Sequence, residues 1–421
     1  MLLQKEFKKS ILLLFHNYFW ILTISSVISV IGGNMWLFTF SMPIMLFFLA
    51  WKSKCSKKNL FDILMILIFI SVVLSWFVNS YPYKNIMIFR YLITQGAFMA
   101  AYYIGRNMDM NVTYKVFHNA LLPGLICAVL GLILYVYQPA WYLANIDNPA
   151  TLESFRLRSV FSSPYVLSYM SFFLLSYLFA LDFKMLPAHY LDSVSLKVRI
   201  SSYILLSSIL LFCMMRAPIA GVLISLFIAL LHTAFVRRKF RMLIYTVVSM
   251  AVLCVLVWNI MQRYMDMESI MFLLEKFEVA TDSSGDFYEK RATLFVADDT
   301  LWGDGAGRHA IYAEQYNLDS IRDTCYQRLL QEVGYVGLVL NLFLFGCIII
   351  KCLRYYKYLG FELSVMVFLL LSMIGADPLA TPDKHCFFYW LIIGRVASFK
   401  LVKQSERDDI IRNKFNNMQN A

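Results

Sequence analysis

Arginines at four sites along this chain, and one histidine beside the last of them, are its residues best suited to chemistry. They are Arg156 with Arg158, Arg216, Arg291 and Arg308, the last followed directly by His309. A guanidinium presents a planar fork of donors that grips phosphate oxygens in pairs and stays charged at physiological pH. Several of them at one membrane surface would suit a diphosphate head group, neutralising it as a leaving group while a hydroxyl attacks. Such a reaction also needs an acceptor for the hydroxyl proton. The candidates are His309, Asp304, Glu314, Asp319 and Asp323; an imidazole suits general-base work, although a loop histidine can equally serve as a hydrogen-bonding residue.

Most of these residues lie in one polar stretch, from Asp266 to Cys325. It contains Gly303-Asp304-Gly305-Ala306-Gly307-Arg308-His309 and leads into Tyr326-Gln327-Arg328-Leu329-Leu330-Gln331-Glu332-Val333-Gly334-Tyr335-Val336-Gly337. The three glycines permit positive φ and close approach of a ligand. Upstream, residues 266–280 read as an amphipathic interfacial helix, and residues 287–297 as a helix carrying Arg291.

The elements that must position these residues are membrane spans. The chain has 421 residues, of which 60% are hydrophobic and 15% charged, and a mean hydropathy of +0.63. Soluble domains are only about 45 to 50% apolar. A span needs about 20 mostly apolar residues, and the sequence offers twelve, near 11–31, 35–51, 60–78, 86–104, 117–137, 164–181, 200–215, 217–235, 242–261, 326–350, 361–377 and 385–399. The expected fold is therefore an all-α polytopic integral membrane protein with about twelve transmembrane helices, forming one domain over 1–421. It has a smaller outer loop at 138–163 and a large one at 262–325.

Charge sets the expected topology. Alternate connections are rich in Lys and Arg, as in Arg237-Arg238-Lys239-Phe240-Arg241, whereas the short loops between them carry only Lys84 and Lys384. By the positive-inside rule both termini are cytoplasmic and the two polar loops face outward. The net charge of +11 is thus read as a topology signal, not a nucleic-acid footprint. The first apolar run has the length of a full span and no small-residue cleavage site, so it is expected to remain as the first helix.

Local signals refine the placement. Pro164 can open a helix, where its missing N–H costs nothing. Met215-Arg216-Ala217-Pro218 breaks a long apolar run about 24 Å from Ile200 at 1.5 Å per residue, so Arg216 falls near the outer boundary. An arginine there could be a snorkelling anchor, but the positive-inside bias makes a lone outward one unusual. Of eight cysteines only Cys325 and Cys386 lie near the outer face, and they are read as packed thiols rather than a disulfide. No spacing resembles a metal or haem site, and no cofactor is expected.

Taken in order, Arg158-Ser159-Val160-Phe161-Ser162-Ser163-Pro164, Met215-Arg216-Ala217, Arg291 with Leu301-Trp302-Gly303-Asp304-Gly305-Ala306-Gly307, and Gln331-Glu332-Val333-Gly334-Tyr335-Val336-Gly337 resemble the motifs of the O-antigen polymerase and ligase superfamily. The resemblance covers about residues 85–350. It implies a helical C-type glycosyltransferase fold in the bacterial inner membrane, acting on undecaprenyl diphosphate-linked oligosaccharide at the outer face, with a chain-length regulator protein as a partner. It also implies diphosphate contacts for Arg158, Arg216 and Arg291. Arg156 and Arg308 match no family position and rest on the chemistry of their side chains.

The ligase branch places a histidine eleven residues before its Gly-x-x-Gly; counting back from Gly334, Asp323-Thr324 stands there. That departure favours a polymerase and makes Asp323 a candidate base or acceptor-orienting carboxylate, unless it caps the helix starting near Cys325. A ligase and a lipid-linked oligosaccharide flippase are the alternatives. A flippase would invest its ionisable residues at mid-bilayer and often repeat between halves.

Overall fold

The computed structural model describes residues 59–107, 110–139, 164–186, 194–213, 215–241, 301–318, 324–379 and 386–399, with Trp20, Thr23, Ile24, Leu157, Ser159, Ile244 and Ile321 besides. Every regular element among them is helical. In chain order these are α1 (Leu60–Val78), α2 (Lys84–Tyr91), a π-turn (Leu92–Gly96), α3 (Ala97–Asn107), α4 (Met110–Tyr137), α5 (Pro164–Asp182), α6 (Leu196–Cys213), α7 (Arg216–Arg237), a 3-10 turn (Ile311–Tyr316), α8 (Cys325–Arg354), α9 (Tyr356–Ser372) and α10 (Cys386–Ser398). Among the described residues, six segments are long and apolar enough to cross a membrane. The chain is a multi-pass membrane protein.

Expected spans 60–78, 117–137, 164–181, 200–215, 217–235 and 326–350 coincide with α1, α4, α5, α6, α7 and α8. Two others differ in detail. The span at 86–104 is interrupted by the π-turn, and the one at 361–377 is shifted to Tyr356–Ser372. Asp377 precedes Pro378, a position that disfavours helix, and the Cys325 N–H donates to the carbonyls of Met373 and Ala376 just beyond α9. Apart from isolated residues, expected spans 11–31, 35–51 and 242–261 lie outside the described residues, as do the expected helices at 266–280 and 287–297.

Helix α1 shows how sequence and environment cooperate. Asn59 and Asp62 form a reciprocal capping box: each side chain accepts the other's backbone N–H, at 3.0 and 2.9 Å, so two otherwise orphaned donors are paired. One face, Leu64, Met65, Ile68, Ser71, Val72 and Ser75, is buried, while Ile63, Ile66, Phe69, Ile70, Val73 and Phe77 are exposed. In a bilayer such an exposed apolar face meets lipid, and helix association then depends on close packing rather than on exclusion of water. α3 and α10 pack most closely. A Cβ on Gly105 would lie 2.1 Å from the Leu391 carbonyl oxygen, and one on Gly394 would lie 2.0 Å from that of Tyr102.

Contacts between helices define two ends of the bundle. At one end Gly221 of α7 meets Phe368 of α9, and α8 begins against Met373. At the other, the Tyr356 hydroxyl donates to the Ile228 carbonyl at 2.5 Å, and the Asn59 amide and the Lys351 ammonium both donate to the Ala397 carbonyl at 3.1 Å. This second end gathers Arg106, Arg199, Arg237, Lys351, Arg354, Lys357 and Arg395 at helix termini. The first end carries Asn79, Tyr81, the segment 301–318, Asp377 and Arg216.

Candidate functional site

Residues 301–318 fold onto the start of α8 because that helix is broken. Gly334 has φ 68° and ψ −172°, outside helical geometry. A break of this kind releases carbonyls from the i→i+4 ladder, and they are used at once. The Asp304 N–H donates to the Gln331 carbonyl at 2.6 Å, and the Ser75 hydroxyl of α1 donates to the Glu332 carbonyl. The Val336 N–H donates to Leu301 at 3.3 Å. Two side chains secure the segment from α1 and the turn after it: the Asn79 amide donates to the Gly303 carbonyl at 2.7 Å, and the Tyr81 hydroxyl to that of Ala306 at 2.8 Å.

This segment holds a small set of charges. His309 Nε2 stands 3.2 Å from Asp304 Oδ2, and Arg308 Nη1 stands 3.8 Å from the same oxygen. The imidazole hydrogen bond holds the Asp304 carboxyl below its usual range, with Arg308 acting in the same direction and partial burial opposing. Burial pushes the Tyr81 hydroxyl well above the usual phenol range, the Glu332 charge adds to this, and Arg308 opposes it. Tyr81 is therefore a neutral donor.

Beneath the segment lies an ion cluster that is almost fully enclosed. Arg328 and Glu332 are each 1% exposed. Arg328 Nη1 donates to Glu332 Oε2 at 2.6 Å and to Gln95 Oε1 at 3.1 Å; its Nε and Nη2 both donate to Asp377. Glu332 Oε1 in turn accepts the His309 backbone N–H at 3.2 Å. A buried charge is tolerable only when paired and hydrogen-bonded, and here one guanidinium answers two carboxylates. The π-turn brings Gln95 to this place. A cavity of about 20 Å³, enough for a single water, adjoins it and is lined in part by Tyr91, Gln95, Arg328, Asn341 and Trp390.

Arg90, at the end of α2, lies against the 3-10 turn. Its guanidinium donates to Gln315 Oε1 at 2.7 Å and stands 5.2 Å from the Tyr316 ring centre and 5.7 Å from that of Tyr312. The Tyr312 hydroxyl points to the Met87 carbonyl at 3.4 Å. α2 and residues 301–318 are thus fastened together.

Of the residues singled out from sequence, Asp304, Arg308 and His309 come together in one cluster. Arg216 is the first residue of α7, at the same end of the bundle but on a different part of it. α7 packs on α9 and α5, whereas the 301–318 segment sits on α1, α2 and α8. Arg156, Arg158, Arg291, Asp319 and Asp323 lie outside the described residues. Leu157, between the first two, donates its N–H to the Phe212 carbonyl at 3.1 Å and accepts from the Cys213 thiol at 3.0 Å. Leu157 therefore lies beside the end of α6, three residues before Arg216. The residue capping α8 is Thr324, whose side chain makes no capping bond.

Arg328, Glu332, Asp377 and Gln95 were not expected as site residues, although an ionisable pair at i,i+4 inside an apolar run is a signal of its own. Among the described residues no group of three or more His, Cys, Asp or Glu could hold a metal ion, and the six described cysteines are all free thiols. No protein-family model matches the chain, and no curated protein matches it.

Proposed function

We propose that the protein is a polymerase of lipid-linked polysaccharide repeat units. It would transfer the growing chain from undecaprenyl diphosphate to the next lipid-linked unit. The observation that carries this reading is the gathering of the arginine-bearing segments. Arg308, Arg216 and the Leu157 backbone that flanks Arg156 and Arg158 occur at one end of the helical bundle, opposite the end where most basic helix termini collect. Under the positive-inside rule the basic end is cytoplasmic. That supports cytoplasmic termini and an outward-facing site in the bacterial inner membrane. Twelve spans and a C-type glycosyltransferase-like fold complete the reading.

In the proposed reaction a hydroxyl oxygen of the incoming unit attacks the anomeric carbon of the growing chain. The bond from that carbon to the diphosphate oxygen breaks with inversion, and the hydroxyl proton passes to His309 or Asp323. The arginines neutralise the departing diphosphate, a role suited to preorganised donors. The test is elongation of a defined lipid-linked repeat unit by the purified protein. A ladder of longer products supports the proposal; no ladder, with attachment of single units to a lipid acceptor instead, defeats it.

A transport reading is favoured by one observation: two interrupted helices, α2 to α3 through the π-turn and α8 at Gly334, meet at the buried Arg328 cluster, as broken helices do at transporter sites. Unflipped lipid-linked units on the cytoplasmic leaflet of a deletion strain would establish transport. Unpolymerised units on the outer leaflet would exclude it.

A further inference from the structure

We infer that Glu332 is a positioning residue for His309, joining the buried Arg328–Asp377 pair to the segment that carries the imidazole. The inference rests on the polymerase reading, in which His309 is a candidate proton acceptor. The geometry is specific. Glu332 Oε2 takes an Arg328 N–H at 2.6 Å and Oε1 takes the His309 N–H at 3.2 Å, so one carboxylate fixes the main chain of His309 relative to the bundle. From the other side Asp304 Oδ2 meets Nε2 of the same ring at 3.2 Å. Both the backbone and the ring of His309 are thereby held by carboxylates.

Glu332 is itself immobilised. Its carbonyl accepts the Ser75 hydroxyl, its helix breaks two residues later, and its ion-pair partner Arg328 is held by Asp377 and Gln95. Contacts from beyond α9 and from the π-turn reach Glu332 through Arg328, the contact from α1 reaches its carbonyl, and its carboxylate carries them to His309. A base must be held within hydrogen-bond reach of the proton it takes, and displacement by about 1 Å can cost about 100-fold in rate.

Both partners of Glu332 are donors, which separates its variants. Glu332→Gln must set an N–H against either Arg328 or His309 and loses one of the two bonds. Glu332→Asp keeps two acceptor oxygens and the charge facing Arg328, but is one methylene too short to reach both. The experiment uses the full-length protein in nanodiscs, with elongation kinetics on a lipid-linked repeat unit and hydrogen exchange over residues 301–318.

The expected result is a kcat about 100-fold lower in both variants, KM for the lipid-linked unit within about threefold, and faster exchange confined to residues near His309. Wild-type kcat in either variant would overturn the inference, as would exchange that rises equally throughout α1 and α8. If Glu332→Gln fails to reach the membrane, Glu332→Asp, which preserves the buried charge balance, carries the test. If the wild-type protein elongates nothing, the polymerase reading fails, and localised or spread exchange still decides whether Glu332 holds His309.

Discussion

Gly303 and Gly334 occupy each other's side-chain space. A Cβ on Gly303 would stand 2.6 Å from the Gly334 nitrogen, and one on Gly334 would stand 2.4 Å from the Gly303 nitrogen. Both have positive φ, 72° and 68°. Either Gly303→Ala or Gly334→Ala therefore meets backbone atoms and an unfavourable conformation together, a strain of about 1 to 3 kcal/mol before the clash is counted. Limited proteolysis within 301–318 should become much faster in each variant, while the helices remain protected. Unchanged cleavage would mean that the segment does not dock on the break.

Arg328 answers two buried carboxylates. Arg328→Met should destabilise the protein by about 3 to 5 kcal/mol, because removing one partner leaves uncompensated buried charge. Arg328→Lys should recover little, since a point charge cannot serve Asp377 through two nitrogens and Glu332 and Gln95 together. Thermal unfolding in detergent measures both, and an Arg328→Met variant as stable as wild type would contradict the pairing.

Docking of residues 301–318 should depend on pH at both extremes. The Asp304 carboxyl is depressed in the folded state, so its contribution is present above the ordinary carboxylate value of about 3.9 and is lost as pH falls below it. The Tyr81 hydroxyl is raised, so its contribution is present below about 10 and is lost as pH rises beyond that. The difference in emission between wild type and Trp302→Phe, followed from acid to alkaline pH, should be flat through the neutral range and change at each end. Asp304→Asn should abolish the acid change only.

Tyr81→Phe removes one neutral hydrogen bond, to the Ala306 carbonyl. The expected loss is about 1 kcal/mol, seen as roughly fivefold faster exchange of amides in residues 303–309 with little change in overall melting.

The arginines of the proposed diphosphate site make a sharper functional demand. Arg216→Ala and Arg291→Ala should abolish chain growth while the protein stays in the membrane at wild-type amounts, and Lys at either position should restore little. Surface polysaccharide length on gels, with immunoblots for the protein, reads both quantities. Normal chain length in either alanine variant would remove that arginine from the site.

Much of the helical frame was legible because a bilayer restricts the solutions. Apolar runs about 20 residues long must be helices there, so α1, α5 and α7 could be placed from hydropathy, and the break at Met215-Arg216 from its polarity and proline. The π-turn at 92–96 was not legible. Nothing in Leu92-Ile93-Thr94-Gln95-Gly96 alone requires an interruption; Gln95 reaches an arginine 233 residues away.

Read as a string, the residues already specify an apolar, helical membrane chain, with its cations distributed unevenly between alternate connections and a polar stretch rich in glycine and arginine. These follow from composition and from spacing along the chain. Which charges meet depends on the packing of the helices. That packing set Gly303 against Gly334, Asp304 against His309, and Arg328 between Glu332 and Asp377, 49 residues apart in sequence from the latter. In a low-dielectric interior each charge must find a partner in space, and that partner depends on how the helices cross, which no local pattern records.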